Sequence, residues 1–100
     1  MPASKVKITV LKRLVLHDLD KYKNEPSVAC ALFDEGQEFV SENIQMPKGF
    51  CSWAWADIQR DVAVLALNGN FHWVKYDGIG ISCCTDGFRP VVFKLERIEE

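Results

Sequence analysis

The chain has 100 residues, 48% hydrophobic and 26% charged, so it can bury one hydrophobic core, and residues 1–100 are predicted to form a single domain. This composition excludes a disordered chain, a collagen-like repeat and a coiled coil. Twelve basic and fourteen acidic residues give a net charge of −2, which argues against a nucleic-acid partner. The apolar runs are too short to span a bilayer, and the first residues lack the long apolar stretch of a signal peptide. The sequence therefore predicts a cytoplasmic protein with no membrane partner.

The first half of the chain predicts strands separated by polar loops. Residues 5–10 alternate polar and apolar side chains, which is typical of a half-buried strand. Residues 17–26 are charged and end in proline, which indicates a loop with one helical turn. Residues 27–33 and 37–41 are short apolar segments around a glycine-containing turn, and together they predict a hairpin. Residues 43–49 contain Pro47 and Gly49 and are predicted to form a loop.

A helix is predicted over about 53–67. Ser52 is a suitable N-cap because its hydroxyl can accept a hydrogen bond from a first-turn amide. Asn68 and Gly69 provide a C-terminal stop because both tolerate left-handed backbone. Helical spacing predicts a core-facing stripe of Trp55, Ile58, Val62, Leu65 and Ala66. The opposite, solvated side is predicted to carry Asp57, Arg60 and Asp61.

The last third predicts two further strands, 79–84 and 91–98, joined through the turn signal at Asp86 and Gly87. In the second strand Val91, Phe93 and Leu95 share one face. The predicted fold class is therefore α+β. It consists of a small, mostly antiparallel sheet of about five strands with one main helix packed on it.

Cysteine content is the main chemical signal in the sequence. Four cysteines exceed what a core of this size needs, and none of them forms a Cys-x-x-Cys pair. In a reducing compartment they are buried thiols, metal ligands or redox thiols. The four cysteines are Cys30, Cys51, Cys83 and Cys84.

Position along the predicted elements ranks these thiols. Cys51 precedes the helix, where the positive end of the helix dipole stabilises a thiolate, so it suits a metal ligand or a nucleophile. The alternative is a small apolar residue packed beneath Trp55. Neighbouring strand residues point to opposite faces, so Cys83 and Cys84 are predicted to differ. Cys83 continues the face of Ile79 and Ile81, which favours core filling, and Cys84 is the better site candidate.

The leading hypothesis is that Cys30, Cys51 and Cys84 gather at one site. Three thiolates can bind a metal such as zinc or iron, with His72, Asp86 or water as a fourth ligand. The same cluster can instead act as redox-responsive thiols. A small enzyme with a thiolate nucleophile is a third possibility, although no complete catalytic set is recognisable in the sequence.

Each of the other polar candidates also has a structural interpretation, which is favoured over a catalytic or ligand role. His72 is interpreted as a partly buried histidine with satisfied hydrogen bonds rather than a ligand. Asp57 and Asp61 are interpreted as a solvated helix face. Asp86 is interpreted as a turn residue that accepts hydrogen bonds from backbone amides.

Tryptophan content supports a second hypothesis, that the protein is a non-catalytic homodimer or accessory subunit. Trp53 and Trp55 are two residues apart on the predicted helix and cannot face the same way. One of them is therefore expected to line a pocket or a subunit interface, where tryptophan is common.

Three stretches of the sequence carry a family resemblance. They are EGQEF at 35–39, MPKGFCSWAWADI at 46–58 and CCTDGFRPVVFKLER at 83–97. With these motifs the chain resembles an uncharacterised prokaryotic family of short, cysteine-containing proteins. That family has no assigned activity, so the resemblance implies a cysteine pattern but no substrate.

Overall fold

The computed structural model describes residues 3–99. A 3-10 helix at His17–Tyr22 follows the first strand, where the sequence predicts one helical turn within a loop. The helix and the strands are β1 (Val6–Arg13), β2 (Glu38–Ser41), α1 (Ser52–Ala66), β3 (Ile79–Cys83) and β4 (Val91–Arg97). Within this part of the chain, no helix is long and apolar enough to cross a membrane.

The strands form one antiparallel sheet in the order β2-β1-β4-β3. The predicted α+β class is confirmed. The predicted number of strands is wrong, because residues 3–99 form four strands and not five.

The predicted strand that is absent is the segment 27–33, which has no strand structure and does not join the sheet. Its buried apolar residues, Cys30 and Phe33, are three positions apart, whereas Val28 and Leu32 are exposed. This spacing does not match the two-residue period of a strand. The segment nevertheless brings Cys30 and Phe33 into the core.

The helix α1 is confirmed, with a small shift at its start. Cys51, not Ser52, is the N-cap residue, because the extended backbone ends at Cys51 and Ser52 is already helical. At the other end Asn68 adopts a φ of 69°. The amide of Asn68 donates to the Leu65 carbonyl, and that of Gly69 donates to the Val64 carbonyl at 2.7 Å. This pattern is a Schellman motif, as the predicted stop at Asn68 and Gly69 requires.

The core lies between α1 and one face of the sheet. The aromatic rings of Phe33, Phe39, Phe50 and Phe93 form a cluster at one end of it. The remaining fully buried aliphatic side chains include Val6, Ile8, Val10, Ile58, Val62, Leu65, Val91 and Leu95. The predicted inward faces of β1, α1 and β4 are therefore confirmed, with Trp55 half-buried at the margin.

The inward face of β3 is the opposite of the predicted one. Gly80 faces α1, and a Cβ atom there would lie 2.9 Å from the Phe71 ring. Ile81 and Cys83 are exposed on the uncovered face of the sheet. The prediction that Cys83 fills the core is therefore wrong, since Gly80, on which Phe71 packs, lies on the covered face and alternation along the strand places Ile81 and Cys83 on the other.

Candidate functional site

A pocket of about 920 Å³ opens at the N-terminal end of α1. Three segments line it: part of the 27–33 segment, the first turns of α1, and the connection from β3 to β4. We call it the thiol pocket. Its lining residues are Cys30, Leu32, Phe33, Cys51, Ser52, Trp53, Ala54, Ala56, Asp57, Cys84, Thr85, Asp86, Arg89 and Val91.

The three cysteines singled out by the sequence all line the thiol pocket. Cys30 is buried, and Cys51 and Cys84 are half-buried. All are free thiols. Cys83, on the uncovered sheet face, does not line this pocket. The fold thus places on the walls of one pocket thiols that are 21 and 33 residues apart in the sequence.

Cys51 occupies the start of a fifteen-residue helix. Its carbonyl accepts the first helical hydrogen bond, from the Trp55 amide at 2.9 Å. Within residues 3–99 its side chain makes no capping hydrogen bond, and the first turn contains no acidic residue. The free first-turn amides and the helix dipole therefore favour negative charge at this end of the pocket.

Cys84 is held by contacts on both sides. Its Sγ atom accepts a hydrogen bond from the Val91 amide at 3.2 Å, across the start of β4. The next residue, Thr85, donates from its amide and its hydroxyl to the Asp57 carboxylate at 2.8 Å and 3.0 Å. These bonds tie the end of β3 to α1 and fix the position of Cys84.

Asp57 is thus a positioning residue rather than part of a solvated face, contrary to the sequence-based interpretation. Sequence reasoning missed it because its partner lies 28 residues further along the chain. The sequence correctly places Asp57 on the side of α1 opposite the core-facing stripe. The residues that follow β3, however, bond to that side of the helix. Asp61, one turn later, pairs among residues 3–99 only with the neighbouring Arg60, at 3.5 Å.

Replacing Asp57 with alanine is expected to lower the free energy of unfolding by about 1–2 kcal/mol, because the bonds to Thr85 are lost. Thr85→Val should cost less, since the amide bond remains. Urea denaturation of both variants tests this, with Asp61→Ala as the control. Equal losses for Asp57→Ala and Asp61→Ala would contradict the positioning role.

Asp86 shapes the turn beside the pocket, as its structural interpretation predicts. Its carboxylate accepts hydrogen bonds from the amides of Phe88 and Arg89 at 2.9 Å and 3.2 Å. Partial burial acts to raise the pKa of Asp86, but these amides and the Arg89 guanidinium outweigh it. The pKa therefore lies below its ordinary value of 3.8.

This lowered pKa predicts the direction of an acid effect. A carboxyl whose pKa is lower in the folded state stabilises the fold above the unfolded pKa and loses that contribution as the pH falls. The free energy of unfolding is therefore expected to decrease as the pH falls below 3.8. Urea midpoints measured at a series of acidic pH values should fall less steeply for Asp86→Asn than for the unmodified chain. Parallel curves would contradict the assignment.

Two exposed apolar side chains line the pocket. Trp53 is 85% exposed and Leu32 is 65% exposed. Trp55 instead packs against Phe50, with ring centroids 6.2 Å apart. The two tryptophans thus face different ways, as predicted, and Trp53 lines the pocket.

The thiols are not arranged as a metal centre. Within residues 3–99, no group of three or more histidine, cysteine or carboxylate residues is placed to hold a metal ion. His72 does not line the pocket; it is exposed and packs edge-to-face on Trp73, with centroids 4.9 Å apart. The interpretation of His72 as partly buried is therefore wrong. Zinc or iron at Cys30, Cys51 and Cys84 stays a prediction that this arrangement does not favour.

Comparison with known proteins adds no relative to these observations: no family model, curated protein or solved structure matches the chain. The resemblance drawn from the three sequence stretches therefore stays a prediction.

Proposed function

We propose that this protein is a thiol-dependent redox protein of a reducing compartment such as the cytoplasm. In this proposal Cys51 forms a mixed disulfide with a low-molecular-weight disulfide that enters the thiol pocket. The observation that supports it best is that three free thiols from separate segments line one pocket, with Cys51 at the start of α1.

The chemical step is a thiol–disulfide exchange. The Cys51 thiolate attacks one sulfur of the bound disulfide, and the sulfur–sulfur bond of the compound breaks as the new one forms. The departing thiolate takes up the proton that Cys51 has given to solvent. The bound disulfide is the oxidant, so half of it leaves as a thiol and half stays on Cys51.

Three features of the pocket suit this step. The first-turn amides of α1 favour negative charge at Cys51, and the thiolate is the nucleophilic form of cysteine. Cys51 is half-buried, which leaves it open to a small reagent. Trp53 and Leu32 are exposed and line the pocket, so they can contact the half of the compound that does not react.

Incubation with oxidised glutathione followed by peptide mapping tests the proposal. We expect the glutathione adduct on Cys51 in the unmodified chain and in Cys83→Ser, and its loss in Cys51→Ser. Cys83 is the internal control because it is the most exposed of the four thiols but lies outside the pocket. An adduct mainly on Cys83, or no adduct on Cys51, would overturn the proposal.

A further inference from the structure

The strand β3 forms one edge of the sheet, and the pattern of its hydrogen bonds defines which groups face outward. The Gly78 carbonyl accepts a hydrogen bond from the Arg97 amide at 2.8 Å. The Cys84 amide donates to the Val91 carbonyl at 3.0 Å. In an antiparallel pair such bonds alternate along the strand, so even-numbered residues of β3 face β4. The odd-numbered residues therefore direct their amides and carbonyls away from the sheet; they are Ile79, Ile81 and Cys83.

Within the described part of the chain, these outward groups form no hydrogen bonds. Among residues 3–99, the only hydrogen-bonded neighbour of β3 is β4. Natural sheet edges are usually protected by charged residues, proline or a covering segment. The β3 sequence, IGISC, has neither charge nor proline. Ile81 at its centre is 53% exposed, so β3 is an unprotected edge.

We propose that β3 pairs with β3 of a second copy of this chain, antiparallel and centred on Ile81. In this register Ile81 opposes the partner's Ile81, and Ile79 opposes the partner's Cys83. All of these are hydrogen-bonded positions, so the outward groups of both strands are satisfied by about six hydrogen bonds. The side chains of these residues form an apolar ladder on the uncovered face, and on the other face Gly80 opposes the partner's Ser82.

The opposite edge of the sheet shows why β3, and not β2, is the pairing edge. The Val10 amide bonds to the Gln37 carbonyl at 2.9 Å, so Glu38, Val40 and Glu42 face outward on the β2 side. The same antiparallel arrangement centred on Val40 would place Glu38 opposite the partner's Glu42. Opposed like charges destabilise strand pairing, so charge disfavours self-pairing there.

An exposed tryptophan lies beside the β3 edge. The Phe71 ring covers Gly80, and Trp73 packs on Phe71 with ring centroids 5.3 Å apart. Trp73 is exposed.

The paired assembly would be a continuous eight-stranded sheet with both copies of α1 on the same face. This inference does not depend on the thiol chemistry, because Ile79, Ile81 and Cys83 lie outside the thiol pocket.

Light scattering over a dilution series tests the pairing. We expect the full-length chain to have twice its 11.4 kDa mass at the higher concentrations. Ile81→Lys should halve that mass and keep the native circular dichroism spectrum. Val40→Lys is the matched control because Val40 is the equivalent central residue of the other edge and is 43% exposed; it should remain dimeric. A monomer at every concentration, or dissociation by Val40→Lys alone, would overturn the proposal.

A cross-link tests the register without relying on the lysine variant. In Ile79→Cys, mild oxidation should join the new sulfur at position 79 to the partner's Cys83 and give a covalent dimer. Opposed residues in a hydrogen-bonded pair have Cα atoms about 5.5 Å apart, within the range of a disulfide. Val40→Cys should give no such dimer. A cross-link through position 40, or none through position 79, would contradict the proposed pairing.

Discussion

Replacing Arg97 with methionine is expected to lower the free energy of unfolding by about 3 kcal/mol, one of the largest effects of any single change in this chain. The Arg97 side chain is only 5% exposed. Its Nη1 atom donates to the Gly69 carbonyl at 2.7 Å and to the Leu65 carbonyl at 3.3 Å, and Nη2 donates to Asn70 Oδ1 at 3.1 Å. Arg97 therefore satisfies carbonyls at the C-terminal end of α1.

Methionine keeps the apolar stem but removes the donor to the Gly69 carbonyl, and an unsatisfied acceptor in a part-buried site is costly. The Leu65 carbonyl keeps its bond from the Asn68 amide. Urea denaturation measures the loss. Arg60→Met is the control, because Arg60 is 84% exposed and makes only a surface ion pair with Asp61. Its expected effect is within about 0.5 kcal/mol. Similar losses for Arg97→Met and Arg60→Met would show that Arg97 does not hold the end of α1.

Replacing Phe93 with alanine is expected to lower the free energy of unfolding by about 3–5 kcal/mol. Phe93 is fully buried in the centre of β4, and its ring centroid lies 5.2 Å from that of Phe33 and 5.5 Å from that of Phe50. Truncation removes these ring contacts and leaves a cavity between β4 and the two segments that carry Phe33 and Phe50. Phe33 lines the thiol pocket, so the cavity would also open towards it.

The control for Phe93→Ala is Val92→Ala, the neighbouring residue on the uncovered face of the same strand. Its cost should be under about 1 kcal/mol. Chemical denaturation of both variants gives the comparison, and Phe93→Leu provides a milder truncation. A loss below about 1 kcal/mol for Phe93→Ala would contradict the central place of this ring in the core.

Elements that follow one simple period could be predicted from the sequence. Val6, Ile8 and Val10 alternate along β1, and the apolar stripe of α1 repeats at helical spacing, so both inward faces were identified correctly. The start of α1 was missed by one residue, since both Cys51 and Ser52 can end an extended segment and only the backbone distinguishes them.

The errors occur where long-range contacts override local pattern. In β3 the apolar face, with Ile81 and Cys83, points outward because Gly80, on which Phe71 packs, lies on the covered face. In 27–33 the run of apolar residues suggested a strand, but the segment packs Phe33 against Phe50 and Phe93 and does not pair with the sheet. Neither constraint is visible from local sequence.

The candidate site shows the same division between local and long-range information. Helix position alone singled out Cys51, and the expected alternation of Cys83 and Cys84 separated an exposed thiol from one on the pocket wall. The bond from Asp57 to Thr85 spans 28 residues and was not predictable. A pairing of this kind depends on where β3 ends against α1, which follows from the topology of the whole sheet.

The rates of iodoacetamide alkylation at Cys51 and Cys83, measured in one sample by peptide mapping, test the thiol pocket most directly. We predict that Cys51 reacts faster although Cys83 is the more exposed thiol, because the first-turn amides and the dipole of α1 favour negative charge at this end of the pocket. In concentrated urea, where the helix is lost, the two rates should converge. Faster alkylation of Cys83 in the folded chain would contradict a reactive Cys51 in the thiol pocket.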